Sequence, residues 1–361
     1  SYPLYLWHWP LLSLSGLLLG GGNSNLSRFL ALLLAFALSI STYFFVEGPL
    51  RRRHSSSWVM AFLIFSMLGL GYSGYSLSVH DSSVHFESSP KIGELDGREI
   101  ATGKPCDGFQ VAEGNALCTT FGEGRDLIVV WGDSHALVLQ NNVPRSFLDH
   151  NIRLMVISHI GCPPLEGIVR ADAKGNVVNC AYSRTLKQYG EFIKAQKPTR
   201  IVLVARWTLY LHGWRKGDVP QSASHFIDSR VNASATEKTS RAAFSAGLQR
   251  TLSDFKGIPV VVLGQVPDLQ HLDSFRISRD SSIDREKVDK WHLVEVEAFQ
   301  MFSSHAIQYI DPRDQLCDDL KCPLKLDGQS IYSDDNHLTG KGSQWIWNLV
   351  ENFLWPVNGA Q

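Results

Sequence analysis

The chain has 361 residues, 44% of them hydrophobic and 19% charged, with a formal net charge of −1. Soluble domains average about 25% charged, and the deficit lies at one end: residues 1–80 carry only Arg28, Glu47, Arg51, Arg52 and Arg53. The remainder has an ordinary, slightly acidic balance, which excludes a nucleic-acid binder driven by a strong positive field. The composition also excludes fibrous, low-complexity and wholly disordered chains.

Three uncharged apolar runs fill the first fifth: Leu4–Leu19, Phe29–Val46, and Ser55–His80 with its apolar centre at Trp58–Tyr75. A helix needs about 20 mainly apolar residues to cross a bilayer, so residues 1–80 are expected to form three transmembrane helices. The first run lacks the basic start of a signal peptide, and Ser1 in place of Met suggests a piece of a longer chain. Gly48-Pro49 should end the second helix. The Arg51–Arg53 loop then lies in the cytoplasm by the positive-inside rule. The third helix leads outward, so the rest is expected outside the cytoplasm: in the periplasm of a Gram-negative bacterium, or at the exterior otherwise. All six cysteines follow the third run, and an even number in an exported domain suggests disulfides. Fifteen pairings are possible; proximity favours Cys106–Cys118, Cys162–Cys180 and Cys317–Cys322.

Residues 81–105 are polar and Ser-rich and read as a linker or extension. Beyond them, 106–361 alternates strand-like and helix-like segments. A β-branched run at Asp126–Trp131 predicts a strand, followed by a helix over Ala136–Asp149 and a strand over Leu154–Ser158. A helix near Ser183–Gln196 and a strand at Arg200–Ala205 come next. Ser234-x-x-Glu237 resembles a capping box opening a helix that runs to Phe255. Then come a strand at Pro259–Leu263, a charged helix over Asp284–Ser304, a strand at Ala306–Ile310, and a last helix at Gly340–Leu354. Continuous apolar strands separated by helices imply an α/β domain in three α/β/α layers, its parallel sheet covered on both sides. Sites in such folds lie beyond the carboxyl ends of the strands.

Two motifs stand at such ends. Gly132-Asp133-Ser134-His135 directly follows the first strand. A serine on a sharp strand-to-helix turn exposes its hydroxyl, and the helix N-terminus offers N–H groups to a developing oxyanion; Asp and Ser are also ordinary helix caps. Ser333-Asp334-Asp335-Asn336-His337 lies between the fifth strand and the last helix. Asp and His three apart share one turn, so the carboxylate can hold one imidazole nitrogen and leave the other to take a proton from Ser134. No H-E-x-x-H or comparable ligand spacing occurs, and no metal is expected.

With these two motifs the segment resembles an SGNH (GDSL-type) esterase or acyltransferase domain. The resemblance implies Ser134 as nucleophile and Asp334 and His337 as acid and base. Gly161, in the Gly-Cys-Pro-Pro loop after the second strand, matches the family's oxyanion-hole glycine. One block departs: where the family has G-x-N-D after the third strand, this chain has Ala205-Arg206-Trp207-Thr208, with no Asn. Either the backbone of Ser134 and Gly161 forms the hole, or Arg206 assists; Arg206 in a structural ion pair is the alternative. Trp207 and Tyr210 open an aromatic stretch that fits a sugar-binding surface or ordinary packing.

The N-terminal segment SYPLYLWHWP, followed by FFVEGPLRRR at 44–53, resembles the end of an acyltransferase-3 membrane protein. In some members of that family an SGNH domain follows one extra membrane helix, which is the order here. The two resemblances together imply an O-acyltransferase, usually O-acetyl, acting on cell-envelope polysaccharide such as O-antigen. They imply as partners a glycan acceptor, the lipid bilayer of the inner membrane and an N-terminal acyltransferase-3 membrane domain. An acyl donor such as acetyl-CoA would be used by that membrane part, with no cofactor bound here. A carbohydrate esterase with the same triad, and a non-catalytic glycan-positioning module, are the alternatives. His8 and Trp9 fall in the matched segment and read as an interfacial anchor.

Overall fold

The structure, a computed structural model, describes residues 2–18, 25–48, 65–69, 71–72, 94–95, 98–109, 116–172, 176–180, 183–213, 215–216, 219–220, 225–231, 234–269, 280–302 and 307–355. The chain divides into two units, residues 1–88 and 89–361.

In the first unit, α1 (Tyr2–Leu18) packs on α2 (Asn25–Thr42). Ala31, Ala35 and Ser39 recur every four residues and make the buried stripe of α2, where small side chains let the helices approach. Trp7 Nε1 donates to Thr42 Oγ1 at 2.9 Å. Phe29, Leu30, Leu33, Leu34 and Phe36 are exposed. A π-helical turn, Tyr43–Glu47, ends this segment. Among the described residues no helix is long and apolar enough to cross a membrane. Most of the third apolar run, and most of the expected linker, lie outside the described residues.

The second unit is built on a sheet with strands β1 (Lys104–Pro105), β2 (Ala116–Phe121) and β3 (Asp126–Gly132). Helix α3 (Ser134–Gln140) precedes β4 (Ile152–His159), β5 (Ile168–Ala171), β6 (Val177–Asn179) and α4 (Ser183–Ala195). Then follow β7 (Arg200–Val204), α5 (Trp207–His212), β8 (His225–Asp228) and α6 (Glu237–Asp254). Strand β9 (Val260–Leu263), α7 (Arg285–Gln300), β10 (Ile307–Ile310) and α8 (Gly340–Leu354) complete the order. The main sheet runs β10-β9-β7-β3-β4-β2-β1. Its five strands from β10 to β4 are parallel, and β2 and β1 are antiparallel additions at the β4 edge. The sheet is therefore mixed, not purely parallel as expected. Strands β8, β5 and β6 form a separate antiparallel sheet.

Successive side chains of a strand point to opposite faces, and β3 uses both. Leu127, Val129 and Trp131 enter one core with Tyr189 and Ile193 of α4, Trp207 of α5 and Phe244 of α6. Ile128 and Val130 enter the other with Leu139 of α3 and Ile346, Trp347 and Val350 of α8. Three layers result, as expected for α/β/α.

Two helix boundaries differ from expectation. Helix α3 ends at Gln140 rather than Asp149, because Pro144 cannot continue it and instead caps a separate short helix, Arg145–Leu148. The capping box of α6 is Thr236 with Thr239, not Ser234 with Glu237. Three disulfides join Cys106 to Cys118, Cys162 to Cys180 and Cys317 to Cys322.

Candidate active site

Strands β3, β4 and β7 end side by side, with Gly132 in register with both Ser158 and Val204. At Gly132 the backbone passes so close to β7 that a Cβ would lie 1.8 Å from the Val204 carbonyl oxygen. Only glycine fits, and this fixes the tight turn from β3 into α3. Asp133 caps the helix, its side chain accepting the N–H of His135 at 2.9 Å. Ser134 is thus the first residue of α3, at the positive end of the helix.

The second motif hangs between β10 and α8. The Asp334 carboxylate folds it into a turn: its Oδ1 accepts the N–H groups of Asn336 at 2.8 Å and His337 at 2.7 Å. Its Oδ2 lies 2.7 Å from His337 Nδ1, and His337 Nε2 lies 2.8 Å from Ser134 Oγ. The structure therefore brings Ser134, His337 and Asp334 into one unbroken series across 203 residues of sequence. For Asp334, burial works against ionisation, but the hydrogen bonds from the His337 ring and from the His337 and Asn336 backbones, with the charge of His337, bring its pKa down to about 2. Burial pulls His337 down, yet the hydrogen bond and charge of Asp334, with the charge of Asp133, leave it above the ordinary histidine value. The imidazole is thus a stronger base than a free one, and ready to be oriented as a proton acceptor.

Gly161 lies in the loop just past β4, at the same carboxyl end of the sheet as Ser134, with φ of +72°. That left-handed conformation suits glycine. Among the described residues, neither the Ser134 nor the Gly161 N–H is taken by a protein acceptor. The Cys162–Cys180 bridge ties this loop to the end of β6.

The Arg206 side chain lies in an ion pair. Its guanidinium is buried and engages Asp268 through Nε at 3.0 Å and Nη2 at 3.1 Å, with Asp335 at 3.9 Å. The ion-pair alternative holds, because a guanidinium in this interior needs a carboxylate partner. Trp207 and Tyr210 do not form a sugar-binding surface. Both are buried in the core, Trp207 donating to the Leu263 carbonyl at 2.7 Å and Tyr210 to Asp133 Oδ2 at 2.6 Å. Aromatic rings with one polar atom serve either purpose in a sequence; here the layers under the sheet claim them.

The sequence offered Asp133 as a helix cap, which it is, but gave it no further part and gave His135 none. Asp133 is buried and accepts four hydrogen bonds: from the His135 N–H and ring Nδ1 on Oδ1, and from the Arg206 N–H and Tyr210 hydroxyl on Oδ2. Burial would raise its pKa, but the charge and hydrogen bonds of His135, with those from Tyr210 and Arg206, hold it below the ordinary value. The available signal was the motif itself, in which Asp and His flank the serine.

The chain has no match among curated proteins. Its fold is similar to the solved structure of a Salmonella ser. Paratyphi A lipopolysaccharide acetyltransferase periplasmic domain, at 17% identity and a TM-score of 0.44 over 64% of this chain and 84% of that one. It is also similar to a GDSL-like lipase from Bacteroides thetaiotaomicron, at 10% identity and a TM-score of 0.35 over 63% of this chain and 87% of the other. Residues 105–352, which hold Ser134, Asp334 and His337, match the family described as SGNH domain (fused to AT3 domains), and the chain belongs to that family.

Proposed function

We propose that the chain is the SGNH part of a membrane O-acyltransferase that transfers an acyl group, acetyl in the simplest case, to a hydroxyl of a cell-envelope polysaccharide such as O-antigen. The observation that carries this reading is the Asp334–His337–Ser134 series, with 2.7 Å and 2.8 Å between successive partners. Ser134 Oγ attacks the acyl carbonyl while His337 Nε2 takes its proton. The tetrahedral oxyanion lies against the N–H groups of Ser134 and Gly161. As it collapses, His337 returns the proton to the leaving group and an acyl-serine remains. A sugar hydroxyl then attacks that ester, His337 takes its proton, and Ser134 is released as the alcohol. Asp334 keeps the imidazole in the required tautomer and orientation throughout.

Transfer prevails over hydrolysis only where the sugar hydroxyl is bound and aligned. Alignment is worth an effective molarity of about 10⁵–10⁸ M, beyond what bulk water offers. The family's description as fused to AT3 domains supports a transferase over a free hydrolase. So do the apolar runs of residues 1–80. In this reading those runs sit in the inner membrane with Arg51–Arg53 cytoplasmic and residues beyond about 80 periplasmic, beside an acyltransferase-3 domain that takes acyl groups from a donor such as acetyl-CoA.

The test compares envelope glycan acylation in cells carrying the full-length gene, its Ser134→Ala version, or neither. Acylation present with the first and absent with the other two is expected. Intact acylation with Ser134→Ala would make the domain a glycan-positioning module. Fewer glycan esters with the wild-type gene than without it would make the protein an esterase.

A further inference from the structure

His337 meets Ser134 only if the Asp334–His337 turn is held against the start of α3, and little holds it there. The bonds from Asp334 to its own backbone, and from the Ser333 N–H to the His337 carbonyl at 2.9 Å, shape the turn without placing it. The Leu269 N–H, donating to the Asp335 carbonyl at 2.7 Å, ties the turn to the segment after β9. Arg206, 3.9 Å from the Asp335 carboxylate, pulls in the same direction. Among the described residues, one side chain joins the turn to the nucleophile motif apart from the Ser134–His337 bond itself: His135 Nε2 lies 3.1 Å from the Asn336 carbonyl oxygen, 201 residues away.

That carbonyl can only accept, so His135 Nε2 donates to it, and the ring bridges to the Asp133 carboxylate as well when both of its nitrogens carry protons. The other ring nitrogen faces Asp133 Oδ1 at 3.2 Å. Asp133 is itself fixed by the Arg206 N–H at 2.9 Å and the Tyr210 hydroxyl at 2.6 Å, both on β7–α5. The ring of His135 is 8% exposed, and its centroid lies 5.1 Å from that of His337. A chain of fixed groups thus runs from the sheet through Asp133 and His135 to the backbone beside the base.

We propose that His135 is a positioning residue, a clip between Asp133 and the Asn336 carbonyl that keeps the His337 ring on Ser134. The proposal rests on the reading of Ser134 as nucleophile and adds a function for the residue that follows it. His135 touches neither substrate nor the reacting atoms. Its effect arises because displacing a catalytic group by about 1 Å costs on the order of 100-fold in rate.

The test uses the full chain, with p-nitrophenyl acetate as substrate and Ser134→Ala as the blank. In His135→Gln the long amide still reaches the Asn336 carbonyl. In His135→Asn the short amide reaches only Asp133, and in His135→Phe both bonds are gone. Expected are a fall in kcat of about 10- to 100-fold for Asn and Phe, KM within twofold of wild type, and recovery of most of the loss by Gln. If the Phe variant does not fold, the Asn and Gln pair decides. Asn retaining kcat within twofold of wild type, or Gln performing no better than Asn, overturns the proposal. If the wild type shows no hydrolysis above the blank, the acyl-enzyme reading fails, and the clip is read by histidine ring NMR instead. The His337 Nε2 signal, set by its bond to Ser134 Oγ, should keep its wild-type position in Gln and move in Asn to the position it takes in Ser134→Ala. A wild-type position in Asn overturns the clip.

Discussion

Tyr210 donates its hydroxyl proton to Asp133 Oδ2 at 2.6 Å, and both residues are buried. Burial and the Asp133 carboxylate raise the phenol pKa well above its ordinary value, so Tyr210 remains a donor at any physiological pH. Tyr210→Phe leaves the ring packed on Phe226 and Asp133 one partner short. It should destabilise the fold by about 1.5–3 kcal/mol, the range for a hydrogen bond to a charged group, as read by urea unfolding.

Asp334 and Asp335 are neighbours with different work. Asp334 takes the His337 ring and two backbone N–H groups, whereas Asp335 offers its carbonyl to Leu269 and its carboxylate to Arg206 at 3.9 Å. Asp334→Ala should lower kcat/KM by about 10²–10⁴-fold, since the base loses its tautomer and orientation. Asp335→Ala keeps the backbone bond and should cost less than about tenfold. Ester hydrolysis by the two variants, with circular dichroism to verify folding, checks the order.

The pH dependence follows from the same pair. In the proposed mechanism His337 must be neutral to accept the serine proton, and its folded pKa is raised. The acid limb of kcat/KM should therefore have its midpoint above about 6.5, the ordinary histidine value, and Asp334→Asn should move that midpoint down. Stability runs the other way for His337: its contribution is complete below about 6.5 and is lost as pH rises through the raised value. Asp334, with its pKa near about 2, contributes stability above its unfolded value and loses it as pH falls toward about 2. Unfolding midpoints measured across pH for wild type and Asp334→Asn should differ in this sense.

Arg206 and Asp268 form a buried bidentate pair, and Asp268 also receives Thr208 Oγ1 and Gln265 Nε2. Arg206→Ala leaves that carboxylate uncompensated and should cost roughly 3–5 kcal/mol in unfolding free energy. Arg206→Lys should recover only part, because an ammonium cannot reproduce the two-pronged geometry. A loss of activity with no loss of stability would contradict the structural assignment.

Four of the five parallel strands were legible because their side chains are buried on both faces, which writes a continuous apolar run such as Leu127–Trp131; β10, at the edge with Gln308 exposed, was marked by its flanking apolar residues. Strands β1 and β2 were not legible, since at the sheet edge β2 buries only Cys118 and Phe121, one on each face, and writes neither an apolar run nor an alternation. The turn that carries Ser134 and the Asp334–His337 turn were readable from local spacing. Their supports were not: His135 finds Asn336 201 residues on, and Arg206 finds Asp268 62 residues on. Trp207 and Tyr210 misled because an aromatic side chain has the same signature under a sheet as on a sugar-binding face.

The base follows the nucleophile by 203 residues. A ribosome therefore delivers Ser134 long before anything in the chain can deprotonate it. A nascent domain that has formed β3 and α3 holds an ordinary alcohol, inert toward any thioester or activated ester it meets. On the proposed mechanism the hydroxyl would become a nucleophile only once the turn after β10 docks. On the same mechanism a chain cut between the two motifs would hold a serine with no base beside it.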